Sequence, residues 1–210
     1  MTGTWPEKLR GLIAAGTSPE DLGRTYERWL AEIQRADPRA APVRGRKIEG
    51  IYYTPRSLVE HLVDVALSPL WTNRSQKQVA EVRIVDPACG GGSVLIGAFR
   101  ALLRRYEAMR GAPLEPAEKL QIACDHIHGV DLDPQAVEVT RTALALCVGD
   151  GEPGQFADNI RCGDALVDES FDWRQEFGPV FSRPRPGFDA VVGNPPYVDA
   201  EDMNALAPEY

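Results

Sequence analysis

The chain has 210 residues, of which 43% are hydrophobic and 26% charged, a composition that can bury one full domain core. No apolar run approaches the roughly 20 residues that span a bilayer, and the polar N-terminus lacks the apolar core of a signal peptide, so we expect a cytoplasmic protein without a membrane partner. The formal net charge of −8 disfavours a domain that wraps a polyanion unaided.

The four cysteines never form a C-x-x-C pair, and only three histidines could supplement them as metal ligands. Neither a zinc ribbon nor a disulfide framework is indicated, and we expect reduced thiols. His126 and His128 alternate along a predicted strand, where packing or hydrogen bonding is a commoner role than metal binding. We therefore predict no metal site.

A first helix is predicted from Ser18 as N-cap and Pro19 at the first helical position, and it ends at Asp37-Pro38. Its apolar residues recur at helical spacing, so we expect it to pack on a larger body. Residues 38–50 are rich in Pro, Gly and Arg and predict a linker or an exposed loop. The basic residues there fit a solvated loop and a phosphate-contacting segment equally well.

A second helix is predicted to follow Tyr52-Tyr53-Thr54-Pro55, with Thr54 as its N-cap and Pro55 at its first position. Its free N–H groups could instead hold a carboxylate, although a structural cap is the commoner use of Thr-Pro. The expected buried face consists of Leu58, Val59, Leu62, Val63 and Val65.

The next segment is a strand over residues 82–86, a turn with three adjacent glycines, and a helix over residues 94–109. Adjacent glycines let the backbone approach a ligand closely and expose amides at a helix N-terminus, which favours a nucleotide-like ligand. The turn matches neither the Walker sequence nor the spaced dinucleotide-binding pattern, so ATP and NAD are disfavoured.

Residues 111–125 are interpreted as an insertion with a helical stretch before the second strand, residues 127–131. Asp131 ends that strand, at the place where α/β nucleotide-binding folds hold ribose hydroxyls. Asp133 is better explained as the N-cap of a helix over residues 135–146. A third strand is predicted around residues 159–161.

A buried fourth strand over residues 188–193 is predicted to stop at Asn194-Pro195-Pro196-Tyr197, because proline cannot donate to a sheet. Two prolines would hold an amide oxygen, main-chain carbonyls and an aromatic ring in fixed relation, which suits a flat, amino-bearing group. A rigid turn with a surface tyrosine is the alternative for this stretch taken alone.

The order of elements predicts an α/β fold with a parallel sheet and right-handed crossovers. Ligands of such sheets bind at the carboxyl ends of the strands, where the strand order reverses. If the order reverses between the first and fourth strands, the glycine turn and Asn194 are neighbours.

Five motifs together resemble those of the DNA adenine-N6 methyltransferases of restriction-modification systems. In chain order they are Tyr52-Tyr53-Thr54-Pro55, residues 86–92, residues 129–134, Gly163-Asp164-Ala165-Leu166 and Asn194-Pro195-Pro196-Tyr197. Residues 22–30 also look like the helix that precedes the first motif in large enzymes of this kind. The chain departs from the family pattern at Gly91, where a serine is usual.

The resemblance implies a partial Rossmann-like methyltransferase fold and S-adenosyl-L-methionine as cofactor. Residues 1–50 would be an N-terminal helical extension with a basic linker, and residues 51–210 the catalytic domain, cut after its fourth strand. The resemblance implies contacts with the methionine part by Tyr53, Thr54, Asp86, Ala88, Cys89 and Gly90. It implies that Asp131 binds the ribose, Leu132 lies on the adenine ring, and Asp164 with Ala165 borders its exocyclic amine.

The resemblance also implies that Asn194, Pro195, Pro196 and Tyr197 act on an adenine flipped out of double-stranded DNA. Oxygen acceptors on Asn194 and Pro195 would aim the amino lone pair at the methyl group and stabilise the developing positive charge, while Tyr197 stacks on the base. No covalent intermediate is required. Methylation of another planar nitrogen, in a protein glutamine or an RNA base, is the enzymatic alternative.

A non-enzymatic alternative is a cofactor-binding fragment that needs a partner chain. The fold that the chain resembles has three more strands and a target-recognition region, so we expect these in the same or another chain. Without them the fourth strand would present an apolar edge. We expect this chain alone to bind cofactor weakly and to methylate little DNA.

Overall fold

A computed structural model describes residues 5–36, 54–165 and 171–194. Its helices are α1 (Trp5–Ala14), α2 (Pro19–Ala36), α3 (Arg56–Trp71), α4 (Gln76–Ala80), α5 (Ser93–Arg110), α6 (Pro116–His126), α7 (Pro134–Val148), α8 (Trp173–Glu176) and α9 (Gly178–Phe181), with a 3-10 helix at Pro153–Phe156. Its strands are β1 (Ile84–Asp86), β2 (Ile127–Asp131), β3 (Ile160–Cys162) and β4 (Ala190–Val191). Within this part of the chain, no helix is both long and apolar enough to cross a membrane.

The four strands form one parallel sheet in the order β3-β2-β1-β4. Asp86 at the end of β1 is in register with Gly129, and Asp131 at the end of β2 with Cys162. The chain winds from β1 to β3 in one direction and returns to the other side of β1 with β4. The predicted α/β fold with a parallel sheet is thereby confirmed, and the strand order reverses between β1 and β4, the case in which the glycine turn and Asn194 were expected to be neighbours.

The sheet is covered on both faces because its strand residues alternate between two clusters of buried side chains. Ile84, Ile127 and Ile160 pack with α3, α5, α6 and α7 in the larger cluster. On the opposite face, Val130 packs with Phe177 and the other aromatic residues of the segment that contains α8 and α9. The sequence analysis predicted neither of these two helices, each of which has only four residues.

The two N-terminal helices pack directly on this body. Trp5 and Leu9 of α1 and Leu22, Tyr26 and Leu30 of α2 are buried with apolar residues of α5 and α7. The expected packing of the first predicted helix on a larger body is therefore confirmed. Helix α1 itself was not predicted.

Helix α3 differs from the prediction in its cap and in its buried face. Its N-cap is Pro55 rather than Thr54, and no side chain caps it. Val59, Val63 and Leu67 are buried because they recur every four residues along one face of the helix. Leu58 and Val65 were wrongly placed in the core; they are 50% and 64% exposed.

Strand β4 is shorter and less buried than predicted. It comprises only Ala190 and Val191, and Val191 is 68% exposed because β4 lies at the edge of the described sheet. Val192, which follows β4, is 2% exposed and belongs to the larger core cluster. The prediction of a fully buried fourth strand was therefore wrong, although its place in the chain was right.

The histidines were interpreted as packing and hydrogen-bonding residues, and this role is confirmed. His126, which ends α6 rather than lying in the strand, donates from Nδ1 to the Val82 carbonyl oxygen at 2.6 Å. His128 in β2 lies against Phe177 and Phe188. Burial lowers the pKa of each imidazole to about 4.

Candidate active site

Two buried carboxyl groups mark the carboxyl ends of the central strands. Asp86 ends β1 and is 1% exposed, and Asp131 ends β2 and is 2% exposed. Asn194 follows β4 on the other side of β1. A parallel sheet therefore brings these three predicted site residues to one edge, as the reversal of strand order requires.

The glycine-rich turn between β1 and α5 is fixed by hydrogen bonds to β2 and α7. The Cys89 N–H donates to the Val130 carbonyl oxygen at 2.9 Å, and the Gly90 N–H donates to Asp131 Oδ2 at 2.8 Å. Thr140 Oγ1 of α7 donates to the Gly90 carbonyl oxygen at 2.9 Å. Gly90 and Gly92 have φ values of 53° and 83°, which favour glycine, so the turn needs these residues for its shape.

Asp131 organises the loop after β2 as well as the glycine turn. Its Oδ1 accepts from the Asp133 N–H at 2.9 Å, and Asp133 in turn accepts from the Gln135 N–H at 2.9 Å as the N-cap of α7. The predicted capping role of Asp133 is confirmed. Leu132, between the two acids, is 40% exposed, so an apolar surface lies beside a buried carboxylate.

The chain after β4 passes directly over Asp86. A Cβ atom placed on Gly193 would lie only 2.6 Å from Asp86 Oδ1, so glycine is required for this approach. Asp86 Oδ1 also accepts from the Ala88 N–H at 3.0 Å. Burial raises the pKa of Asp86 to about 7, and the negative charge of Asp131 adds to the effect.

Asn194 is oriented by Thr54, the residue that precedes α3 by two positions. Asn194 Nδ2 donates to Thr54 Oγ1 at 3.4 Å, and Thr54 is 7% exposed. With its nitrogen on Thr54, the amide leaves its Oδ1 oxygen as the acceptor for another group. Four residues predicted for the site lie outside the described residues: Tyr53, Pro195, Pro196 and Tyr197.

Asp164 and Ala165 follow β3 on the far side of β2. The Gly163 N–H donates to the Asp131 carbonyl oxygen at 3.0 Å, which joins this loop to the end of β2. A Cβ atom on Gly163 would lie 2.5 Å from the ring of Phe171, and Ala165 packs on the same aromatic cluster. Asp164 is half-buried in this loop.

Two protein-family models match overlapping parts of the chain. The family model described as the Eco57I restriction-modification methylase matches residues 125–210. A second model, described as the DNA-methyltransferase domain of MmeI, matches residues 68–150. Between them the two matches run from α3 through the strand ends to Asn194 and beyond.

Curated relatives are identical to the chain at between a quarter and a third of the aligned positions. An adenine-specific methyltransferase PglX from Streptomyces coelicolor is 27% identical over 77% of the chain. The type II restriction enzyme and methyltransferase RM.Eco57I from Escherichia coli is 26% identical over 91% of it. The type I MjaIX methylase subunit from Methanocaldococcus jannaschii is 29% identical over 90% of it.

The chain is similar to adenine-specific and restriction-modification methyltransferases. It spans only 16%, 22% and 25% of the length of these three relatives, in the same order. A cryo-EM structure of the DrdV–DNA complex is also similar, with a TM-score of 0.49 and 22% identity over 76% of this chain and 14% of that one.

The residues that join α2 to the glycine turn were not predicted from the sequence. A Cβ atom on Gly91 would lie 2.6 Å from the Cα atom of Gly23, so the serine that is usual at position 91 would not fit against α2. The Gly91 N–H donates to Glu27 Oε1 at 3.1 Å. A glycine inside an amphipathic helix is unfavourable, and Gly23 was therefore a signal of close backbone approach.

Proposed function

We propose that this chain forms the cofactor-binding part and the acceptor loop of an S-adenosylmethionine-dependent DNA adenine-N6 methyltransferase. The enzyme would modify a specific site in double-stranded DNA as part of a restriction-modification or phage-defence system. The observation that carries the proposal is the close approach of Gly193 to Asp86, because it sets the glycine turn and Asn194 at one edge of the sheet. The names of the relatives favour DNA adenine over a protein or RNA nitrogen.

The residues at this edge suit the chemical groups of S-adenosylmethionine. The buried carboxylate of Asp131 can accept from ribose hydroxyls, and the exposed Leu132 side chain offers an apolar surface to the adenine ring. Asp164 would accept from the exocyclic amine of the adenine ring. A cationic methionine part fits the surroundings of Asp86, whose buried carboxyl group would gain from a nearby positive charge. The remaining proposed contacts are Tyr53, Thr54, Ala88, Cys89, Gly90 and Ala165.

The bound cofactor would supply an electrophilic methyl group on a sulfonium. The chain's own contribution is to present a fixed acceptor, Asn194 Oδ1, to the amino group of the target base. Thr54 holds the other end of that amide, so little reorganisation is needed when positive charge develops on the base nitrogen. The Pro195 carbonyl would be a second acceptor, Pro196 would stiffen the loop, and Tyr197 would stack on the flipped base.

Two substitutions in the complete protein test the proposal by opposite effects. Asn194→Ala should lower the rate of methyl transfer by about 10²–10³, the loss that follows removal of a hydrogen bond made in the transition state, while cofactor affinity is kept. Asp131→Ala should weaken cofactor binding first. The rate is measured by single-turnover transfer of labelled methyl groups to duplex DNA, and affinity by calorimetry.

Each variant serves as the control for the other. A large loss of cofactor affinity in Asn194→Ala would contradict the acceptor role, and unchanged affinity in Asp131→Ala would contradict the ribose contact. Label that enters only protein, with DNA of many sequences present, would overturn DNA as the substrate.

A further inference from the structure

Helix α2 lies directly on the glycine turn, although it precedes that turn by more than 50 residues in the sequence. Gly23 and Gly91 approach so closely that a Cβ atom on Gly23 would lie 2.6 Å from the Gly91 carbonyl oxygen. One helical turn after Gly23, Glu27 Oε1 accepts from the Gly91 N–H at 3.1 Å. The same oxygen would lie 2.7 Å from a Cβ atom on Gly90, so the carboxylate covers the bend of the turn.

The neighbouring side chain of α2 contacts the other end of the site. Tyr26 donates from its hydroxyl to Asp133 Oδ2, and the Asp133 N–H donates to Asp131 Oδ1. Asp131 Oδ2 accepts from the Gly90 N–H, next to the amide that Glu27 holds. Consecutive residues of α2 therefore close a ring of hydrogen bonds that includes both the glycine turn and the carboxylate at the end of β2.

We propose that Glu27 is a positioning residue for the cofactor, an inference that rests on the proposed function. By accepting from the Gly91 amide it holds the turn in the conformation in which the Gly90 N–H reaches Asp131. A side-chain oxygen acceptor is favoured at this place because the turn leads into the N-terminus of α5, whose first N–H groups have no partner within the helix. Helix α2, which contains Glu27, then forms part of the cofactor site.

The test combines two measurements on the full chain with four variants. Glu27→Ala removes the acceptor, Glu27→Asp retracts it by one methylene group, and Glu27→Gln keeps an oxygen at the same reach. Glu32→Ala is the matched control, because Glu32 is an exposed residue of the same helix. Hydrogen exchange of the peptide that covers residues 87–95 is followed without ligand, and affinity for S-adenosylmethionine is measured by calorimetry well below each variant's Tm.

The expected result is a graded one. Glu27→Ala and Glu27→Asp should speed exchange in the turn and weaken cofactor affinity by roughly three- to tenfold, the range that one hydrogen bond supplies. Glu27→Gln should stay within about twofold of the unaltered chain, and Glu32→Ala should change neither quantity.

The outcomes separate this inference from the proposed function. Binding by the unaltered chain with equal affinity in all Glu27 variants would overturn the positioning role alone. A loss in Glu27→Gln as large as that in Glu27→Ala would overturn it too, because charge and not the hydrogen bond would then matter. Absence of cofactor binding by the unaltered chain, with exchange in the turn still dependent on residue 27, would count against the proposed function itself.

Discussion

At Asp86 the fold favours a neutral carboxyl group, whereas the proposed contact with a cationic methionine part favours a charged one. Its carboxyl group is fully buried between the glycine turn and Gly193, and burial raises its pKa from 3.8 to about 7. The neutral form is therefore favoured in the folded protein. A stabilising contribution from Asp86 is present below pH 4 and is lost as the pH rises through about 7.

We predict that Asp86→Asn flattens the pH dependence of stability between pH 4 and pH 7. Asparagine is neutral at every pH and can still accept from the Ala88 N–H, so only the cost of ionisation is removed. The difference between the two pKa values corresponds to roughly 4 kcal/mol across that interval. The measurement is urea denaturation of both proteins, without ligand, at several pH values.

Asp172→Asn is the matched control for this experiment. Asp172 is an exposed carboxylate that also accepts backbone N–H groups, as the N-cap of α8. Asparagine caps a helix about as well as aspartate, so the slope of this variant should follow that of the unaltered chain. Parallel curves for Asp86→Asn and the unaltered chain would show that the pKa of Asp86 in the folded chain is not raised above its value in the unfolded chain.

Residue roles that depend on the next few residues could be predicted from the sequence, and roles that depend on distant ones could not. Asp133 was correctly assigned as the N-cap of α7, because that role needs only Pro134 and the helix that follows. The same reasoning wrongly assigned Thr54 as the N-cap of α3. It accepts instead from Asn194, 140 residues away, a contact that only the packed fold creates.

At the scale of elements, the docking of α2 on the glycine turn is the feature that a substitution tests most directly. We predict that Gly23→Ala destabilises the chain by about 1–3 kcal/mol, because the new methyl group would meet backbone atoms of Gly91 that cannot move aside as a flexible side chain would. Cofactor affinity should fall with it. Denaturant midpoints and calorimetry provide the two measurements.

Gly11→Ala in α1 is the matched control for Gly23→Ala. Both glycines lie inside helices, but a Cβ atom on Gly11 would have no neighbour within 4 Å among the described residues. Alanine is the better helix former by about 0.5–1 kcal/mol, so Gly11→Ala should stabilise the chain slightly. Opposite signs for the two variants are expected; stabilisation by both would mean that α2 does not sit on the turn in solution.

The elements with strong local signals were the ones that the sequence predicted well. Pro134 and Asp133 marked the start of α7, and the glycine turn marked the start of α5. Helices α8 and α9 have four residues each and are held by an aromatic cluster on the face of the sheet, so their stability comes from packing that no local pattern reveals. Strand β4 was overextended because its apolar run continues past the last residue that pairs with β1.

At the scale of the whole molecule, the strand order determines where a ligand can bind. Because β4 returns to the side of β1 opposite β2, the loops after β1, β2 and β4 converge on one edge. The order of elements in the sequence predicted a parallel sheet, and the convergence of the glycine turn and Asn194 followed only if the strand order reversed between the first and fourth strands. It could not predict that α2 completes the edge, since that depends on the packing of Leu22, Tyr26 and Leu30 between α5 and α7.

The charge of the whole chain leads to a prediction about DNA. With 31 acidic and 23 basic residues, the chain has too negative a balance to bind duplex DNA through its phosphates. At about 0.15 M salt we expect a Kd weaker than roughly 10⁻⁵ M, with no preference between duplexes, while cofactor binding is retained. Fluorescence anisotropy with labelled duplexes measures the Kd for DNA, and calorimetry on the same preparation measures cofactor binding.

The complete protein on the same duplexes is the control for this prediction. The chain spans about a quarter or less of the relatives that it matches, so most of each relative lies beyond the region that it aligns with. Tight, sequence-selective binding by the 210-residue chain would contradict the prediction that it binds duplex DNA weakly and without preference. It would mean that base recognition is carried by the cofactor-binding part, for instance by the basic residues between α2 and α3.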